Sequence, residues 1–559
     1  MNDVIKFFAL GGLDENGKNM YVLEINEDIF VFEAGLKYPD KTRPGIDFVI
    51  PNFEYLKHNR NRIKAYIITH GHDDQFGALP FIYQEVPAPI YGSEATIMML
   101  EKFTKEVGSK ATYTTTTVLP SSRMTIADRK FIFFQTTHNA MLSFGVAVDT
   151  SQGYVVYTGD FIVEYNASNR YKLDLNSLAK IAEKDVLCLL AESTGAEKTG
   201  YTSPGHRLTP KISQVVRDAK GRIFISIYEQ SAYSVEELVA IAIQNKRKLI
   251  FYDKVTSSYF ETFEEHKLPL IDPRFIVAND DMLRVRDQDV IVVMLGNGQE
   301  LFEKILKLGT KKNDDKRFVL KPSDTFIIAC PPPVVLEVLA TEALDSLYFS
   351  EANIVNISTT NVGNMHAQEE DLRMMLSLLK PKYYIPVKGF YRHQIANAKI
   401  ALNSGLNFSH QNILLLDTGV PVIFKDRTAK IMYSEVDRIV NGDLMVDGTG
   451  IGDTNRGVLE DRQKLSDDGI IILGVGYSPL LKTIIAGPDV QMRGFVYLRD
   501  SELLLKNIIK ILVESVEKGL EKPKIRPDEI AEDVSKNIER YIFRETRRRP
   551  MIIPLIHEL

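Results

Sequence analysis

The stretch "AYIITHGHDDQFGALP", residues 65–80, decides the fold. An apolar, β-branched run from Ala65 to Thr69 ends in His70, and His72, Asp73 and Asp74 follow within four residues. A strand that stops on two imidazoles and two carboxylates is suited to a dinuclear metal centre, because imidazole and carboxylate together hold borderline divalent cations. At Gln75, where one more imidazole would complete the cluster, the side chain is a carboxamide. The stretch therefore raises two expectations at once, a metal-dependent hydrolase scaffold and a defect in its centre.

Other segments repeat the pattern. "VIKFFALGG", "NMYVLEI", "DIFVFEAG", "KFIFFQTTH", "FGVAVDT", "GYVVYTGD" and "VLCLLAEST" read as strands, each rich in β-branched or aromatic residues and bounded by Gly, Asp or Asn. His70, His138, Asp160 and Glu192 each close one of these strands, and strand ends gathered on one rim are how α/β scaffolds assemble sites. From residue 207 the rhythm becomes continuous apolar strands alternating with helices ("RIFISIY", "SVEELVAIAIQNKR", "KLIFYD", "DVIVVMLGNG", "TFIIAC", "ANIVNIS"), which predicts a parallel sheet covered on both faces. The metal-rim pattern returns in "NVGNMHAQEEDLRMMLSLLKPKYYIPVKGFYRH" at 361–393. One domain inserted into another is the simplest account. It gives a first domain at 1–206 and 355–440, an insertion at 207–354, a Gly- and Asp-rich linker at 441–457, and a small C-terminal domain at 458–559. That last domain reads as the strands "GIIILGVGY" and "GFVYLR", helices at 503–518 and 527–545, and a final strand "MIIPLI".

Composition narrows the function classes. The chain has 559 residues, too many for one core. With 44% hydrophobic and 25% charged residues it has the make-up of a globular protein. No apolar run approaches a membrane span and no signal pattern opens the chain, so a cytoplasmic protein is expected. Cys188 and Cys330 lie in apolar runs and read as buried free thiols. A net charge of −6 means that any polyanion must be gripped by a local groove rather than by overall charge. The one late basic cluster, Arg544, Arg547, Arg548 and Arg549, reads either as a solvated helix end or as an RNA contact.

"ITHGHDDQFG" with His138 and "YTGDF" resembles the metallo-β-lactamase pattern of His-x-His-x-Asp-His, a later His and a later Asp. "FFALGGLDENGKNMYVLE", "FEAGLKYP", "GIDFVIPNFEYL", "GYTSP", "EEDLRMMLSLLKPKYYIPVKGFYR" and "RRRPMIIP" extend the likeness over the whole chain to the ribonuclease J family. These are β-CASP metallo-β-lactamase nucleases of bacterial RNA. Within that family the departures resemble its second, catalytically degenerate paralogue. The resemblance implies an αββα sandwich with an inserted β-CASP parallel α/β domain and a small C-terminal α/β domain.

It also implies site roles. One metal position takes His70, His72 and His138, with Asp160 bridging to a second. The second position takes Asp74, Asp160 and two histidines, which here are Gln75 and Lys388. The catalytic groups implied are Asp74 and Glu192. Met365 falls on the histidine that assists at the scissile phosphodiester, and His366, one position late, is expected to turn to the other face of a strand-like segment. A 5′-phosphate pocket is expected at Asn361, Val362, Gly363, Asn364 and Met365. The expected cofactor is at most one zinc or other divalent ion, or none. Partners would be RNA, a sister ribonuclease J subunit and further copies of the chain through the C-terminal domain, with no membrane. The function that follows is RNA processing and decay (5′-to-3′ exoribonuclease and endoribonuclease), with this chain feeble or inactive as a nuclease and acting as partner subunit. The alternatives are an active metal-dependent ribonuclease and a hydrolase of another substrate.

Overall fold

The computed structural model describes residues 2–40, 42–313, 315–357, 364–448, 450–452, 456–495 and 501–559. These residues fall into two compact units, 1–37 with 49–444, and 38–48 with 445–559. Among them no helix is long and apolar enough to cross a membrane.

Two sheets face one another in the first unit. One has eight strands, ordered Thr428–Ile431, Val422–Lys425, Ile5–Gly11, Met20–Ile25, Asp28–Phe32, Ile63–Ile68, Ile90–Gly92 and Thr115–Thr117. The other has six, ordered Tyr383–Val387, Val186–Glu192, Tyr154–Tyr157, Phe144–Val148, Arg129–Gln135 and Arg123–Ile126. Phe7, Tyr21, Phe30 and Phe32 from one sheet meet Phe131, Phe133, Val146 and Tyr157 from the other in a dry core. Such large side chains dominate burial energetics, since fully burying each aliphatic or Phe side chain stabilises by about 1.5–3 kcal/mol. The outer face of the six-stranded sheet is covered by the helices Leu175–Ala182, Glu369–Leu379 and Tyr391–Leu402, whose Leu178, Leu372, Met375 and Ala401 pack onto it. The layers are αββα.

The chain returns to both sheets after the insertion. Tyr383–Val387 runs parallel to Val186–Glu192, and Val422–Lys425 pairs antiparallel with the first strand, Ile5 opposite Phe424. Before these returns, after Val186–Glu192, comes a wholly parallel five-stranded sheet, ordered Lys248–Phe251, Val290–Gly296, Ile223–Tyr228, Thr325–Ile328 and Asn353–Asn356. Alternate residues of its central strand face opposite ways. Ile225 joins Val235 and Leu238 on one side, while Phe224 joins Phe302 and Ile305 on the other. Burial on both faces explains the continuous apolar strands of this stretch.

In the second unit the helices Ser501–Leu520 and Pro527–Thr546 pack Ile508, Leu512, Val534 and Ile538 against a three-stranded sheet of Thr483–Arg493, Ile470–Ser478 and Met551–Glu558. Two expectations are corrected here. The stretch 441–457, expected as a linker, holds a hairpin that pairs Val446 with Ile451 and Asp447 with Gly450, and the helix Arg456–Asp468 begins within it. Its Gly and Asp residues mark a turn rather than free chain; Gly448 takes a φ of +57°, open to glycine at little cost. Residues 38–48, expected with the first domain, group with the second unit, where Asp47 donates its N–H to the Val446 carbonyl. Thr483–Arg493 is a strand absent from the expectation; Gly487 and Pro488 at its middle sit at a register shift between flanking paired residues. The "GFVYLR" segment lies largely outside the described residues.

Candidate metal centre

Five strand ends build the centre. His70 follows Ile63–Ile68 of the eight-stranded sheet. His138, Asp160, Glu192 and Lys388 follow or close Arg129–Gln135, Tyr154–Tyr157, Val186–Glu192 and Tyr383–Val387 of the six-stranded one. The sandwich therefore aims groups from both sheets into one buried pocket. The short helix Asp73–Phe76 adds Asp74 and Gln75. Its backbone runs against Gly35, where a Cβ would lie 1.7 Å from the Asp74 carbonyl, so only glycine fits. Asn19 fixes Asp74 further, donating to its carbonyl at 2.9 Å and to its Oδ2 at 3.1 Å.

His70, His72 and His138 form a triangle, with ring centroids 4.7 to 5.0 Å apart and inner nitrogens within 4.8 Å of one another. Each outer nitrogen is anchored. His70 Nδ1 lies 2.9 Å from Thr69 Oγ1, which bonds the buried Glu33 at 2.6 Å. His138 Nδ1 donates to the Met365 carbonyl at 2.7 Å, and His72 Nε2 to the Gln230 carbonyl at 3.1 Å. Anchoring the outer N–H of an imidazole fixes its tautomer and turns the inner lone pair toward a shared point, as metal-ligating histidines require. Burial holds His70 and His138 well below the ordinary histidine range, so both are neutral donors. His70 Nε2 is buried and makes no hydrogen bond among the described residues. These three residues fit one divalent ion, with Asp160 Oδ2 3.5 Å from His70 Nε2 and 3.6 Å from His138 Nε2.

The second position does not fit a metal. Lys388, 2% exposed, brings its Nζ against Asp160 Oδ2 and to 2.9 Å from Asp74 Oδ2. Burial opposes the ammonium, but Asp160 and Asp74 outweigh it and hold Lys388 above the ordinary lysine range. Asp160 answers in kind. Burial opposes its charge, and Lys388 first and His366 next override that and keep it well below the usual carboxylate range. Gln75 offers only an amide: its Nε2 is 3.3 Å from Asp74 Oδ2, and its buried Oε1 has no hydrogen-bond partner among the described residues. An ammonium with two carboxylates and a carboxamide is a closed ion cluster, not a ligand set.

His366 is a correction. The alternation argument turned it away from the centre, yet its Nδ1 lies 2.7 Å from Glu192 Oε2 and 3.7 Å from Asp160 Oδ2. Residues 364–368 are not a strand, so the two-residue period does not apply to them. Burial opposes protonation of His366, and Glu192 first and Asp160 next raise it above the ordinary histidine range. Glu192 itself is raised by burial, an effect its pairing with His366 reduces; its Oε1 accepts the N–H of Phe161 at 2.9 Å and of Ala367 at 3.2 Å. Met365 points the other way, buried with Ile357 and Tyr233 in the inserted domain's core, so its side chain contributes nothing to a phosphate pocket. Of the other residues expected there, Asn364 is exposed, and Asn361, Val362 and Gly363 lie outside the described residues.

Two supporting residues escaped sequence reading. Glu33, fully buried, is pushed up to about 8 by burial, with Thr69 opposing. A carboxylate ending an apolar strand in "VFEAG" was the available signal. Asp371 accepts the N–H groups of Val163 at 2.8 Å, Thr202 at 3.0 Å and Gln368 at 2.9 Å, and so ties the loop after Asp160 to the loop carrying His366. It sits in a run of helix-start acids, where a capping role hides it.

Known proteins agree with this architecture. The family described as "Metallo-beta-lactamase superfamily" matches residues 13–180, and "Ribonuclease J C-terminal domain" matches 457–559. The protein named Ribonuclease J 2 of Staphylococcus epidermidis is 32% identical over 558 residues, covering 100% of this chain and 99% of its own. Ribonuclease J 2 of Staphylococcus aureus is 32% identical over 560 residues, again covering 100% and 99%. A solved structure of a protein of unknown function from Enterococcus faecalis superposes with a TM-score of 0.53 at 13% identity, covering 75% of this chain and 100% of that one, a likeness of fold alone. Full-length identity at this level, over a sandwich whose strand ends carry the histidine triangle and Asp160, places the chain in the ribonuclease J family.

Proposed function

We propose that this chain serves RNA processing and decay as an RNA-binding subunit beside an active sister ribonuclease J, with weak or absent phosphodiester hydrolysis of its own. The observation that carries this reading is the ammonium of Lys388, wedged between Asp160 and Asp74 where a second cation would sit. His70, His72, His138 and Asp160 would hold at most one zinc or other divalent ion. Bound there, it supplies Lewis-acid charge stabilisation, but one ion cannot clamp both the attacking and the leaving oxygens of a phosphodiester as two ions 3.5–4 Å apart do. The chain's own groups orient the site. Asn19 and Lys388 fix Asp74, and the backbone carbonyls of Met365 and Gln230 hold the rings of His138 and His72 in place. The test is metal content of the purified protein with decay of a 5′-monophosphorylated RNA, alone and with the sister subunit. We expect at most one metal per chain and substantial decay only with the sister. Two metals per chain and rapid decay alone would sink the proposal.

One observation favours a second reading, hydrolysis from a single metal. Glu192 fixes His366 Nδ1, leaving its Nε2 to hold a proton, and the raised affinity of His366 for that proton suits a general acid. A bell-shaped dependence of slow decay on pH, abolished by His366→Ala with metal content unchanged, is the outcome that reading requires.

Self-association through the C-terminal domain is part of the proposal. Leu480 and Leu481, at the tip between Ile470–Ser478 and Thr483–Arg493, are 94% and 72% exposed, and Leu555 and Leu559 are also exposed. Exposed apolar groups clustered on a thin domain favour association, because a small domain buries little surface alone. Deleting 458–559 should reduce the particle mass seen by light scattering to that of one chain. An unchanged number of chains per particle would count against it.

A further inference from the structure

The helix Pro527–Thr546 ends at Arg547, which adopts the left-handed conformation with φ +59°. Glycine is the usual occupant of such a cap, since it has no Cβ to crowd the turn. Here an arginine holds it, followed by Arg548 and Arg549, all three exposed. The Arg547 and Arg549 guanidiniums lie over the Phe543 ring, at 5.6 and 4.5 Å from its centroid, and Arg544 lies over Tyr541 at 5.6 Å. Arg544 pairs with Glu545 at 2.8 Å. Arg547, Arg548 and Arg549 have no carboxylate partner among the described residues. The nearby Asp468 accepts the backbone N–H of Arg549, not its side chain. Three successive unneutralised guanidiniums therefore stand on a chain whose net charge is −6. Stacking on Phe543 restricts two of them, so less entropy is lost when they engage a ligand.

We infer that this arginine triad is a second RNA contact, on the C-terminal domain, that grips the phosphates of a single strand. The inference rests on the RNA-binding reading above. Guanidinium forks match phosphate oxygens in pairs. Nothing in the patch reads base edges, so binding there is indifferent to sequence and sensitive to salt.

The experiment titrates the full chain with an unstructured 5′-monophosphorylated RNA over a range of salt concentrations, in chelator to suppress turnover. It compares wild type, Arg547→Ala/Arg548→Ala/Arg549→Ala and the corresponding triple lysine variant. Each lost single-strand phosphate contact removes about 0.7 from the slope of log affinity against log salt. We expect the alanine triple to flatten the slope by about 2 and to weaken binding on the order of 100-fold near 0.1 M salt, while the lysine triple retains the slope. Wild-type binding with an unchanged slope in the alanine triple overturns the triad and leaves the RNA-subunit reading intact. So does an unchanged slope with altered particle mass, which would make the patch a protein interface. Absence of wild-type RNA binding overturns both.

Discussion

Gln75→His with Lys388→His should turn this chain into a two-metal nuclease. The double variant restores imidazoles at the two positions where the resemblance places them and removes the tethered ammonium. Metal per chain should rise from at most one to two. Charge stabilisation by an added ion is worth several kcal/mol in the transition state, which corresponds to roughly 10²–10³-fold in rate. The His366–Glu192 pair is already in place to use it. Metal analysis and decay of a 5′-monophosphorylated RNA check both halves. Two metals without a gain in rate would show that the deficit lies elsewhere than in the second position.

The largest effect on stability should come from Lys388→Met. The ammonium is buried against two carboxylates, and removing it leaves Asp160, 1% exposed, without its strongest partner. Breaking a buried pair in this way costs about 3–5 kcal/mol. The pH window follows from the directions of the two shifts. Asp160 is depressed when folded, so its contribution is complete above the unfolded value of 3.8 and fades as pH falls through the lower folded value. Lys388 is raised when folded, so its contribution is complete below 10.5 and fades only as pH rises through the higher folded value. The gap between wild type and variant in denaturant unfolding, measured in chelator, should therefore be flat from about pH 4 to pH 10 and narrow on strong acidification. A gap below about 1 kcal/mol at neutral pH, the range of exposed pairs, would mean that solvent reaches the cluster.

Much of the centre was legible because strands announce their ends. An apolar, β-branched run that stops on His, Asp or Glu puts that residue at a sheet rim, and two sheets packed face to face share one rim. His70, His138, Asp160 and Glu192 followed from that logic. Lys388 did not, since a lysine after a strand is ordinary until a homologous histidine is set beside it. His366 was misplaced because a period of two was applied to a loop; what aims it is Glu192 taking the backbone N–H of Ala367 and the ring at once. Glu33 and Asp371 were invisible for a different reason. Their work is to accept hydrogen bonds from residues remote in sequence, and no local pattern encodes a partner 208 positions away, as Val163 is from Asp371. In the C-terminal domain the helices were legible from their apolar spacing, whereas the strand through Gly487 and Pro488 needed its neighbour's pairing to be seen.

The Gln230 carbonyl that receives the His72 N–H belongs to the inserted domain, on the loop after Ile223–Tyr228, while His72 belongs to the sandwich. Tyr233, at the start of the helix that follows, donates its N–H to Asn139, next to His138. The inserted domain is thus a stakeholder in the ligand geometry of its host. By thermodynamic reciprocity, whatever an ion gains from a correctly held His72 it returns as tighter seating of that loop, and whatever pries the loop away loosens the ion by the same factor. Ion occupancy in this molecule is consequently a gauge of interdomain closure, readable without any turnover at all.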